Sequence, residues 1–258
     1  MPRLRHRARR IGIVAAILLT GLPATADPLS DRQRLAGDYF VGASVFLFER
    51  TVLSAFAPAD STDATLDAGA IVFAREKADS ESGSVALQAI LAWLNAWLSL
   101  EKAPGSAAPP GFDLARRRDL ACLAYGADPE VSTDLAARIA LNLDARNACV
   151  ARYQDALKQW TGWLLPFGRT AETAKDAPEL HLAFAPMVDA ADQAIADALR
   201  ENGLFQLLTD DINASLVMPR PVTALITQCG EAKAFYNADR GEAVLCTEML
   251  GALVTAAP

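Results

Sequence analysis

Imidazole is scarce in this chain: among its 258 residues only His6 and His181 are histidines. Zinc hydrolases and Ser–His or Cys–His nucleophile systems use imidazole as ligand or general base. A site that needs two histidines from one processed chain is therefore excluded. The four cysteines, Cys122, Cys149, Cys229 and Cys246, include no Cys-x-x-Cys pair, which speaks against a tetrathiolate zinc site. Phosphate-cradling GxGxxG and GxxxxGK loops are absent, so nucleotide binding has no support. Gly42-Ala-Ser44-Val-Phe46 approaches a nucleophile elbow but lacks its second glycine. The 31 acidic residues are too many for spacing alone to nominate a catalytic pair. Arg116-Arg117-Arg118 reads as a solvated helix face, and His181 as a surface histidine on the less apolar side of a strand.

Charge is unevenly spread. Residues 1–26 hold Arg3, Arg5, Arg7, Arg9 and Arg10 and no acid; removing them leaves 19 basic against 31 acidic residues, a balance of −12 over 232 residues. Such a polyanion repels nucleic acid and anionic lipid. The N-terminal pattern is that of a signal peptide: a basic region, the 12 residues from Ile11 to Leu22, Pro23, then Ala24-Thr25-Ala26. The apolar run is shorter than the ~20 residues of a bilayer-spanning helix. Cleavage is expected near Ala26, with a periplasmic or secreted product. An oxidising destination makes disulfides the expected state of the cysteines. Four cysteines allow three pairings. Short-loop closure favours Cys122–Cys149 and Cys229–Cys246, whose separations are 27 and 17 residues, and loops of that size stabilise by roughly 3–4 kcal/mol each in the chain-entropy view.

The elements that must position any site are mostly helical. Residues 39–57 are apolar enough for a deeply buried helix, while Glu49-Arg50-Thr51 in their middle excludes a membrane span. Helical spacing recurs over 63–76, 84–100 (apolar nearly all round, hence expected to be central), 113–125 and 144–165. A loop is expected at 103–111 and a polar linker at 168–178. Alternation at 180–185 predicts a strand, 187–208 a helix kinked at Gly203, and 222–228 a second strand. Residues 229–246 form a β unit turned at 237–241, and 248–254 a closing helix. The fold class is α+β, mainly α.

Three segments resemble a bacterial family of putative metallopeptidases (a domain of unknown function). They are an N-terminal block over Phe46 to Phe56, a middle segment of Cys122-Leu-Ala-Tyr-Gly-Ala-Asp-Pro129 with Arg146-Asn-Ala-Cys149, Tyr153 and Trp160, and a C-terminal segment of Leu216-Val-Met-Pro-Arg-Pro-Val222, Cys229-Gly-Glu-Ala-Lys-Ala-Phe-Tyr236 and Leu245-Cys-Thr-Glu248. The family's cysteine blocks imply the same two local disulfides. The resemblance also implies a helical metallopeptidase-like part at 27–167 and a smaller α+β part at 168–258 packed on it. In the family one helix carries His-Glu-x-x-His and the next Glu-Asp-x-x-Asp. Two imidazoles one turn apart bind zinc, the glutamate acts as base, and an acid on the second helix completes the metal sphere.

Here that pattern is broken. Ungapped matching places Arg50 and Ser54 at the two histidines and Thr51 at the glutamate; sliding to keep Glu49 as glutamate places Phe48 and Val52 at the histidines. On the second helix, Asp63 fits the metal-binding acid and Asp67 the trailing aspartate. Glu49, Arg50, Thr51, Ser54, Asp63 and Asp67 thus form a vestigial site with no expected catalytic residue and no metal cofactor. Two buried acids without a dication need a cation or must stay protonated, and Arg50 is expected to face them and form an ion pair with one of them. The expectation is a pseudoenzyme: an exported, non-catalytic homologue with a binding or structural role toward a protein or peptide. The alternative is an active hydrolase with an atypical metal site.

Overall fold

The computed structural model describes residues 31–100 and 109–256. The expected signal peptide at 1–26, and residues 103–108 of the expected loop, lie outside the described residues. Helix α1 (Asp31–Leu53) is followed by α2 (Asp63–Glu76), α3 (Glu81–Leu100), α4 (Leu114–Ala127), the short α5 (Thr133–Arg138) and α6 (Leu143–Leu164). Strand β1 (Leu180–Phe184) then leads through α7 (Ala190–Asn202) and α8 (Leu204–Ser215) to β2 (Val222–Thr227), β3 (Ala234–Asn237), β4 (Glu242–Cys246) and α9 (Thr247–Ala256). The architecture is α+β and mainly α.

Helix α1 is as central as α3. Tyr39, Ala43, Val45, Phe46, Phe48 and Val52, which point in all directions around it, are buried, and it packs against α2, α3, α9, β3 and β4. Its approach to α3 is close because Gly42 has no Cβ: one built there would lie 2.0 Å from the Ala89 carbonyl oxygen. One turn on, Phe46 meets Trp93 and Phe112, and Trp93 stacks on Trp97 with ring centroids 5.2 Å apart. Helix α2 starts where Thr62 accepts from the Thr65 N–H, as an N-cap should. Gly69 on α2 lets Trp160 of α6 lie flat against it, and the Trp160 indole donates to the Thr65 carbonyl at 3.0 Å. Helix α5 was not anticipated: six residues carry too little periodicity to register.

The single helix expected over 187–208 is instead two. Gly203 adopts φ +71°, a left-handed conformation that closes α7 and opens α8, so it breaks the helix rather than bending it. The sheet order is β1-β2-β4-β3. Strands β1, β2 and β4 are parallel, and β3 runs antiparallel to β4 through the expected turn, where Gly241 takes φ +65°. One face of the sheet (Leu180, Val222, Ala224, Ile226, Ala243, Leu245) joins the apolar cluster that also contains the buried residues of α1. On the other face, Ala183, Leu225, Val244 and Phe235 form one cross-strand row beside the polar row His181, Thr223, Glu242 and Asn237. Among the described residues, no helix is long and apolar enough to cross a membrane.

Candidate functional site

The segment 54–62 turns the chain so that the last turn of α1 faces the start of α2, where Asp63 and Asp67 share a side one turn apart. Arg50 lies between the helices. Its Nε donates to Asp67 Oδ1 at 2.7 Å, and its Nη2 donates to Asp63. The Arg50 and Asp67 side chains are only 8 % and 4 % exposed, whereas Asp63 is 81 % exposed. The expected ion pair is therefore present, to both acids.

A second guanidinium completes the network. Arg116, in the first turn of α4, donates from Nε to Asp67 Oδ2 and from Nη2 to Asp67 Oδ1, both at 2.7 Å. Its Nη1 donates to the Gly111 carbonyl, and its guanidinium lies 4.4 Å above the Phe112 ring. Asp67 thus accepts from two arginines at once, in the forked geometry that suits carboxylates. This corrects the reading of Arg116-Arg117-Arg118 as a solvated face. Arg117 is buried with its guanidinium 5.3 Å over Trp97, and of the three only Arg118 is exposed. The cause is packing: α4 lies against α2 and α3, so the arginines on its inner side are covered. One signal was available in sequence. A cation in the first turn of a helix opposes the helix dipole, which points to a specific partner for Arg116.

Thr51 and Ser54 are turned onto their own helix, their hydroxyls donating to the Leu47 and Arg50 carbonyls. Glu49 lies outside the arginine network. It is 2 % exposed, its Oε2 has no hydrogen-bond partner, and burial, reinforced by the negative charge of Asp211, pushes its carboxyl well above the usual range. Asp211 itself pairs with Lys77 of the α2–α3 connection at 3.6 Å. Burial thus favours the proton-bound form of Glu49, which is separate from Asp63 and Asp67. His181 is exposed on the outer face of β1.

Chemically, the network is a carboxylate clamp. Guanidinium offers donors only, and here it uses them on the same Asp oxygens that a cation would require. The hydroxyls at 51 and 54 donate locally. The residues at this position do not fit zinc, which needs three or four N, S or O lone pairs converging on a point.

Both expected disulfides are formed: Cys122–Cys149 joins α4 to α6 with Cα atoms 5.1 Å apart, and Cys229–Cys246 joins the end of β2 to the end of β4 at 5.5 Å. Sequence reading missed the part played by Glu248. Its carboxylate accepts from the N–H groups of Cys229 (3.0 Å) and Gly230. Burial alone would raise its pKa, but these two donors and its own N–H hold it below the ordinary value.

Among known proteins, no curated protein and no solved structure matches the chain. Residues 184–256 match the family model described as "Putative metallopeptidase". That stretch contains the Cys229 and Cys246 blocks, while Arg50, Asp63, Asp67 and Arg116 lie outside it. From the end of β1 through α9, the chain is similar to the family its cysteine blocks resemble.

Proposed function

We propose that this protein is an exported, non-catalytic relative of the metallopeptidase-like family. It keeps the scaffold for a binding or structural role with a protein or peptide partner, and a guanidinium has replaced the metal of the ancestral site. The supporting observation is Arg50 held between Asp63 and Asp67, with Arg116 donating to both Asp67 oxygens. Charge balance explains the arrangement. Two acids left by a lost dication are neutralised by two permanently charged arginines. Glu49, the nearby candidate base, lies outside the network, and burial raises its carboxyl well above the usual range. Two disulfides suit a periplasmic or secreted protein.

Elemental analysis of the purified, oxidised mature protein tests this reading, together with a peptide-hydrolysis assay before and after zinc addition. Far less than one zinc per chain and no zinc-dependent hydrolysis are expected. About one zinc per chain, retained through dialysis and accompanied by chelator-sensitive hydrolysis, would overturn it.

A further inference from the structure

We propose that the Cys229–Cys246 disulfide conceals a soft-metal site, which opens when the bond is reduced and takes a zinc- or cadmium-class cation on two thiolates and the Glu248 carboxylate. This site is separate from the arginine network and independent of the reading given for it. Among the described residues, Cys229 Sγ, Cys246 Sγ and a Glu248 carboxylate oxygen are the one group of three possible ligand atoms from His, Cys, Asp or Glu within 4.8 Å of each other.

The sheet and its following helix hold these residues without help from the S–S bond. Thr227 of β2 pairs with Cys246 of β4, the Cys246 N–H donates to the Lys233 carbonyl at 3.1 Å, and Glu248 accepts from the Cys229 and Gly230 N–H groups. Those two N–H bonds would orient the carboxylate as outer-shell donors orient metal ligands. Cys229 is only half-buried, so a rotation of its side chain can part the sulfurs. They need to reach about 3.8 Å, the edge of a tetrahedron with Zn–S near 2.3 Å.

The chemistry balances with a dithiol as reductant. Its thiolate attacks one sulfur, its second thiol closes the reductant's own disulfide, and Cys229 and Cys246 leave as thiols. A divalent cation then displaces the two thiol protons and accepts two sulfurs and one carboxylate oxygen, with water in the fourth position. Thiolate ligands favour zinc or cadmium over magnesium or calcium. The same reduction at Cys122–Cys149 opens no such site, because no comparably placed third ligand stands beside it among the described residues.

The experiment titrates cadmium into full mature protein, oxidised or reduced with excess dithiol and desalted under argon. The readouts are the ultraviolet thiolate-to-cadmium charge-transfer band and equilibrium dialysis. One cadmium per reduced chain and none per oxidised chain is expected. Glu248→Gln should weaken binding by roughly tenfold or more through loss of an anionic ligand. The Cys229→Ser/Cys246→Ser double variant should abolish the band, while Cys122→Ser/Cys149→Ser should retain it. No uptake by the reduced wild type, uptake undiminished in Glu248→Gln, or a band surviving in Cys229→Ser/Cys246→Ser each overturns the assignment. Circular dichroism of every variant separates loss of ligand from loss of fold.

Discussion

Arg50 and a histidine at the same position solve opposite problems. Imidazole brings a lone pair to a cation, while guanidinium is the cation. Because Asp67 is buried and Arg50 nearly so, removing Arg50 leaves Asp67 with Arg116 alone and Asp63 without its partner. Arg50→Ala should therefore cost about 3 kcal/mol, the low end of the range for breaking a buried pair, because Arg116 still compensates Asp67. Urea unfolding measures it, and a cost under about 0.5 kcal/mol, the level of a surface substitution, would place Arg50 outside the fold's charge balance. The Arg50 contact was legible because the ungapped family match sets Arg50 at the first ligand position facing the acids of the next helix, and a buried acid such as Asp67 calls for a cation. Arg116 was not legible as their partner. It is 49 residues from Asp67, and the helix-dipole signal that Arg116 needs a partner does not name Asp67.

Glycine does for the helices what arginine does for the acids. At Gly42 and Gly69 the neighbouring element occupies the space of a Cβ, at 2.0 Å from the Ala89 carbonyl oxygen and 2.2 Å from the Trp160 ring, whereas Gly162 on α6 meets nothing within 4 Å. Gly42→Ala should destabilise by about 1–3 kcal/mol or more through overpacking. Gly162→Ala should stabilise by about 0.5–1 kcal/mol through helix propensity. Paired thermal melts decide the matter, and equal shifts for the two variants would contradict the packing account. Apolar patterning made most helices and all four strand regions readable in advance, as continuous apolar runs where α1 and α3 are buried all round and as alternation in β2. It failed at 187–208, where both helices continue the same pattern and only the left-handed backbone at Gly203 separates them. It failed also at α5, which is too short to show a period.

Across the whole molecule, buried groups set how stability responds to pH. The unfolded chain releases the Glu49 proton near its ordinary value of 4.5, while the fold holds it to higher pH. Below that value both states are protonated and Glu49 adds no pH dependence. Above it the unfolded state binds fewer protons than the native one, so stability falls as pH rises until the folded pKa is passed. The slope from one such group is up to about 1.4 kcal/mol per pH unit. Glu49→Gln should flatten the decline between pH 5 and 7 in urea titrations, and a variant as pH-dependent as wild type would show that another group carries it. The two disulfides bear on the molecule in a mechanical sense as well. Each bridges residues near in sequence, with separations of 27 and 17, and neither links α1 to the sheet that lies against it. Pulled from its ends, the chain keeps only those two small loops closed and can otherwise straighten without breaking a covalent bond. The seam between α1 and the sheet is crossed by neither disulfide, so under tension it is free to part while both loops stay intact.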